Sequence, residues 1–298
     1  MKKSARGLSL SCAAVVLATL LAGCASMFEA QGPLRKEMVY AVTASMQLIR
    51  FNAGQPQRVL ARKRITGLAA GERLLGIDYR VARGVLHTLG SSGRLYTLTT
   101  TTGMLLPMGA ASSVVPLEGR LFGFDFNPAA DRIRVVSDSG QNLRLHPDTG
   151  AAVDGNASLD GVQGDAALAY AATDRHAGQR PVVVAAGYTY NKKDDKLTTN
   201  FAIDRRLGLL VMQGSAEGST PVVSPNTGLL TTIGPLGLGE LTDVSFDIAD
   251  VSGAGFAVVR TAGQPQTRLY LVDLAIGRAR LVGTVGDGAA VIGMAVEL

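Results

Sequence analysis

The last strand-like segment of this chain belongs with its first. "VIGMAV", residues 291–296, has the form of the segments that open each internal repeat, yet nothing follows it. The body begins with "VYAVTASMQLIRFNAGQPQRVL", residues 39–60, which supplies a second and a third strand with no first strand before them. Joined, the two ends complete one unit. A β-propeller closes its ring in this way, and closure leaves few unpaired strand edges.

The repeat rests on a pattern of apolar, small, apolar, Asp or Ala, apolar. It occurs in "LLGIDY" (74–79), "LFGFDF" (121–126), "VSFDI" (244–248) and, more loosely, "AALAY" (166–170). Each is followed by a turn, a second strand, a polar or Gly-rich turn and a third strand. The third strands align as "RLYTL", "NLRLH", "NFAID" and "RLYLV". With almost no helix-period pattern, 36 glycines and no tryptophan, the chain reads as all-β. Five blades are expected, at 38–66 with 291–298, then 75–110, 121–155, 166–234 and 241–286. The fourth unit is too long, so it carries either an insertion or an irregular sixth blade. A β-sandwich is the alternative architecture.

The first 24 residues follow the order of an export signal. Lys2, Lys3 and Arg6 precede an apolar run from Leu8 to Leu21, and Leu21-Ala22-Gly23-Cys24 resembles a bacterial lipoprotein processing box. The expected organisation is a signal peptide at 1–23, a lipidated Cys24 with a tether to residue 37, and one domain at 38–298. Ala25 after the cysteine points to outer-membrane sorting, with the body facing the periplasm or the cell surface. An ordinary cleaved signal is the alternative. Cys12 leaves with the signal, so a lipidated Cys24 leaves no thiol for a disulfide or a metal. Three of the 29 basic residues leave too, so 26 remain against 24 acidic, a net of +2. That balance removes the case for nucleic acid.

"GLAAGERLLGIDYR", "SSGRLYTL", "LFGFDFNPAADRIRVVSDSGQNLRLHPDTG" and "ALAYAA" resemble the bacterial domain-of-unknown-function family 4394 over residues 38–298. The resemblance implies an envelope-associated or secreted protein and carries no catalytic residues across. His146 departs from the Asn expected at its position.

Catalytic signatures of the common hydrolases, P-loops and redox motifs are missing from the sequence. Two constellations remain. Asp78, Asp125 and Asp247 hold equivalent places in three first strands, with Ala169 and Ala295 in the other two. Facing a channel, they could hold Ca²⁺ or form an acid/base pair. The structural reading, favoured because the residue repeats, has each accept backbone N–H bonds at its blade corner. The second constellation is Asn127, Arg132, Arg134, Gln141, Asn142 and Arg144 in the third unit. Alternation buries Ile133 and Val135 and sets the arginines on the opposite face. They form either a surface for a carboxylate, phosphate or glycan, or an ion-pair ladder with Asp125, Asp138 or Asp148, the ladder being favoured. The loop "DGNASLDGVQGD" (154–165) lacks the spacing of a calcium loop and reads as plain. Two functions are therefore expected to compete. One is a non-catalytic module that binds a glycan, peptide or protein; the other is a metal-assisted hydrolase or lyase.

Overall fold

The computed structural model describes residues 31–109 and 115–298. The expected export signal and Cys24 lie outside these. Five sheets make up the described chain. The first blade is β1 (Met38–Thr43), β2 (Gln47–Asn52) and β3 (Gln55–Arg64), completed on its inner side by β20 (Val291–Val296). The second is β4 (Leu74–Arg80), β5 (Val85–Gly90), β6 (Leu95–Leu98) and β7 (Leu105–Met108). The third is β8 (Phe122–Asn127), β9 (Arg132–Ser137) and β10 (Asn142–Leu145). Outside β10 this blade has no further strand among the described residues, only a bridge between Leu145 and Ala152.

The fourth blade has five strands: β11 (Ala169–Tyr170), β12 (Val183–Tyr188), β13 (Asn200–Asp204), β14 (Leu209–Gln213) and β15 (Leu229–Pro235). The fifth has β16 (Leu241–Ile248), β17 (Gly255–Thr261), β18 (Gln264–Val272) and β19 (Ala279–Thr284). Inner strands β4, β8, β12, β16 and β20 contact one another in turn, and β20 returns to β4. This is a five-bladed β-propeller closed by the C-terminal strand. The ring excludes the sandwich.

The fourth blade corrects the sequence reading. "AALAY" is not its inner strand, because β11 pairs parallel with β15 on the outer side. "VVAAGY" of β12 takes the inner place, and "NFAID" becomes the second strand rather than the third. Gly187, not Ala169, therefore stands level with the aspartates. The extra length is this outer strand and its loops, so no sixth blade exists among the described residues.

The small residue of the repeat has a packing role. Gly76, Gly123, Ala185, Ser245 and Gly293 share one level of the ring. A Cβ on Gly76 would lie 2.7 Å from that of Phe124, and one on Gly123 would lie 2.8 Å from the backbone of Ala185. Five inner strands can converge only where side chains this small allow it.

The core is divided among the interfaces between blades, each with its own apolar cluster. Phe124, Phe126, Ile133, Val135, Leu143 and Leu145 of the third blade meet Leu75, Leu89 and Leu95 of the second. Between the third and fourth blades the third contributes only Val136 to the cluster, with the remaining buried apolar residues lying on the fourth-blade side. Polar side chains fill the rest of that interface. Residues 32–37, at the end of the expected tether, are held against the first blade: Arg35 N–H donates to Asn52 Oδ1 and Gln55 Nε2 donates to Gly32 O.

Candidate functional sites on the propeller

Alternation along the inner strands turns Asp78, Asp125 and Asp247 from one blade toward the next. Asp78 Oδ2 accepts the Phe126 N–H at 2.7 Å, Asp125 Oδ2 accepts that of Tyr188 at 2.8 Å, and Asp247 Oδ2 accepts that of Val296 at 2.6 Å. Each carboxylate thus stitches its strand to the inner strand of the neighbouring blade, not to its own turn. Asp247 Oδ1 also accepts Ile248 N–H at 2.5 Å, a bond that the missing side chain of Gly187 cannot make.

The three carboxylates converge, with one oxygen from each lying within 4.8 Å of the others, and all are at most 6% exposed. Burial, then the Asp247 charge, holds the Asp78 carboxyl well above the usual range. For Asp125 burial acts with the charges of Asp78 and Asp247. Burial raises Asp247 to about 6. Asp250, not anticipated from sequence, is raised to about 7 by burial and by the charge of Asp247, against the pull of Lys192. Such groups share protons at neutral pH, or surrender them to a cation. The one oxygen that each carboxylate brings to the cluster makes three ligands, short of the six to eight that Ca²⁺ takes.

The second constellation divides. Arg132, Arg134 and Arg144 line one cavity of about 190 Å³ with Asn127, Tyr188 and Asn226. Register puts Arg134 directly opposite Arg144. Arg134, 2% exposed, donates from Nε to the Tyr188 hydroxyl, from Nη1 to Asn142 Oδ1 and Asp165 Oδ2, and from Nη2 to Asn226 Oδ1. Arg144 also pairs with Asp165, at 2.7 Å. The ladder therefore exists with a different acid. Asp125 is spent on Tyr188, Asp138 caps the backbone of Arg120 and Leu121, and Asp148 pairs with Arg80. Asp165 ends the loop read as plain, and the chain returns there beside β10. Its N–H donates to Asn142 O, which fixes it next to both arginines.

Asn142 is a buried hub rather than a wall of the cavity: it accepts from Arg134 and Gln213 and donates to Ala166 O and Pro225 O. Asn127 Oδ1 accepts from Ala129 and Ala130 N–H and so builds the turn after β8. Gln141 lies elsewhere, bonded to Glu118 N–H and Pro116 O. His146 Nδ1 accepts the Asp148 N–H, doing the work expected of an Asn there.

A third feature escaped the sequence. The beginnings of all five inner strands surround a depression of about 430 Å³, with Leu75, Phe122, Val184, Val244 and Ile292 among its apolar walls. Glu72, Arg73, Arg120 and Asp243 supply charge around it. At the level of Gly76, Gly123 and Ala185 only about 10 Å³ remains open. A further concavity of about 720 Å³, beside Arg35 and the fifth blade, shares no lining residue with the depression or the arginine cavity.

With this geometry in view, the model of the family described as "Domain of unknown function (DUF4394)" matches residues 47–295. The chain belongs to that family. The DUF4394 match reaches all five blades, beginning at β2 and so leaving out β1 and the last residue of β20. No curated protein matches the chain. Among solved structures, a chain of a nidogen/laminin complex is similar over 88% of this chain and 98% of its own, at 10% identity and a TM-score of 0.44. A structural-genomics protein of unknown function from Bacteroides thetaiotaomicron is similar over 78% of this chain and 58% of its own, at 13% identity and a TM-score of 0.43.

Proposed function

We propose that this DUF4394 propeller is a lipid-anchored module of the bacterial envelope that binds a glycan, peptide or protein without transforming it. The observation that carries the reading is the depression where the inner strands begin: apolar walls, charges of both signs, and a channel that closes directly below. That is the anatomy of a recognition patch, in which apolar area supplies affinity and a few charges set orientation. The three carboxylates sit past the closure and are engaged by backbone N–H groups, a stitching role rather than a reactive one. Arg73 and Arg120 have no acidic partner among the described residues, which leaves their charge for a ligand.

The test is binding of the purified protein to glycan and peptide arrays, repeated with Phe122→Ser and Arg120→Ala. A ligand held in the depression is lost from both variants while their melting transitions persist. Undiminished binding in both places the ligand elsewhere. Anchoring is tested by labelled palmitate, which Cys24→Ser must no longer incorporate. A second reading, metal-assisted hydrolase or lyase chemistry, draws on the convergence of Asp78, Asp125 and Asp247 within 4.8 Å. Stoichiometric Ca²⁺ or Zn²⁺ in the purified protein, absent from a folded Asp125→Asn variant, would favour it.

A further inference from the structure

The interface between the third and fourth blades breaks the rule of the ring. Its buried space is given to a polar network around Arg134, Asn142, Asp165, Gln213 and Asn226, and ordering buried polar groups is more costly than packing apolar ones. Arg134 and Asp165 satisfy one another at 2.6 Å, with side chains 2% and 1% exposed. They form a rigid back wall. In front of it stand two further guanidiniums. Arg132 donates only to the carbonyl of Asp131 and has no carboxylate partner among the described residues. Arg144 spends Nε and Nη2 on Asp165 and the Asp154 carbonyl, while its Nη1 makes no hydrogen bond among the described residues.

Three guanidiniums against one carboxylate leave a local surplus of two positive charges around a cavity of about 190 Å³. That volume holds about six waters at ~30 Å³ each. It is small for a drug-sized ligand and roomy for a tetrahedral anion with a few further atoms. Guanidinium forks match the oxygens of such an anion, and Arg144 is already held in place by Asp165, so little of its side-chain freedom is lost on binding.

We propose that this cavity binds a dianionic oxyanion: phosphate, free or as a monoester. Arg132 and Arg144 supply the charged donors, and the Tyr188 hydroxyl and the Asn226 side chain orient it. The cavity lies where β8 and β12 end, and it shares no lining residue with the depression in which the inner strands begin. The two sites are therefore separable by mutation.

The full chain in detergent is titrated calorimetrically with inorganic phosphate, glucose 1-phosphate and acetate, and its melting temperature is followed in parallel. Saturable phosphate binding is expected, with acetate much weaker. Affinity should fall below about pH 6, where a phosphate monoester takes up its second proton. Arg132→Gln forfeits no ion pair, so it should fold normally and bind at least tenfold more weakly. Arg144→Gln should weaken binding too, while Phe122→Ser leaves it unchanged. Glucose 1-phosphate binding more tightly than phosphate assigns the site to esters; equal or weaker binding assigns it to the free ion. No saturable binding at millimolar phosphate, acetate binding as well as phosphate, or full affinity in both arginine variants would overturn the proposal.

Discussion

Raising the pH from about 4 to about 7 should destabilise this propeller, the opposite of ordinary acid unfolding. The cause is Asp247, whose carboxyl is raised from 3.8 to about 6 by burial at the centre of the ring. A group with a raised folded pKa takes up its proton more readily in the native state than in the unfolded chain. The stability it contributes is complete below about 4 and is lost as the pH rises through about 6. At 1.36 kcal/mol per unit, the loss by pH 7 is about 3 kcal/mol. Asp78 and Asp125 are shifted in the same direction and add to it. Against a usual total of about 5–15 kcal/mol, that is readily measured. Glu37 and Glu72 are held below their ordinary 4.5 and Asp174 below 3.8, so their contribution is lost as the pH falls through those values and opposes the slope only at the acid end of the range. Urea unfolding across the range gives the slope directly. Asp247→Asn keeps one acceptor for the two N–H groups of Ile248 and Val296 and cannot ionise. It should be less stable at pH 4, with a shallower slope. Equal slopes in the two proteins, or parent stability that rises between pH 4 and 7, would refute the reasoning. If added Ca²⁺ abolished the slope in the parent alone, a cation would be competing for the carboxylates.

Removing the shared counter-ion by Asp165→Leu should cost about 3–5 kcal/mol by urea unfolding, since Arg134 is left buried without an opposite charge. A loss below 1 kcal/mol would mean that Asn142 and Asn226 already satisfy it. Gly123→Val drives a side chain into the backbone of Ala185 and should cost at least 1–3 kcal/mol. Gly263→Ala, with nothing within 4 Å, should stay within about 0.5 kcal/mol on the same assay. Truncation after Ala290 removes β20, exposes the inner edge of β1 and should yield aggregated protein. A soluble, cooperatively melting truncation would show that the ring does not need its closure.

Much of the architecture could be read from the chain alone. A unit missing its first strand and a strand missing its unit identified the ring and its closure. "LLGIDY", "LFGFDF" and "VSFDI" marked three of the five inner strands, and "VIGMAV" marked a fourth. That information is local: a small residue permits close approach, and an aspartate two positions later reaches the next strand. Both demands fall on a few consecutive residues, so the sequence shows them. The fourth blade misled because β12 contains Gly187 in place of the aspartate, while the outer β11 imitates the motif.

The arginine cluster was visible as a cluster, and its separation into wall, hub and bystander was not. Arg134 meets Asp165, Tyr188 and Asn226, which lie 31, 54 and 92 residues away. Nothing in the loop "DGNASLDGVQGD" distinguishes Asp165 from the acids around it. Periodicity determined which face each side chain occupies, because alternation is a property of a single strand. Which charges meet across two blades was decided only when the ring brought distant loops together, since pairing depends on positions that no local pattern encodes.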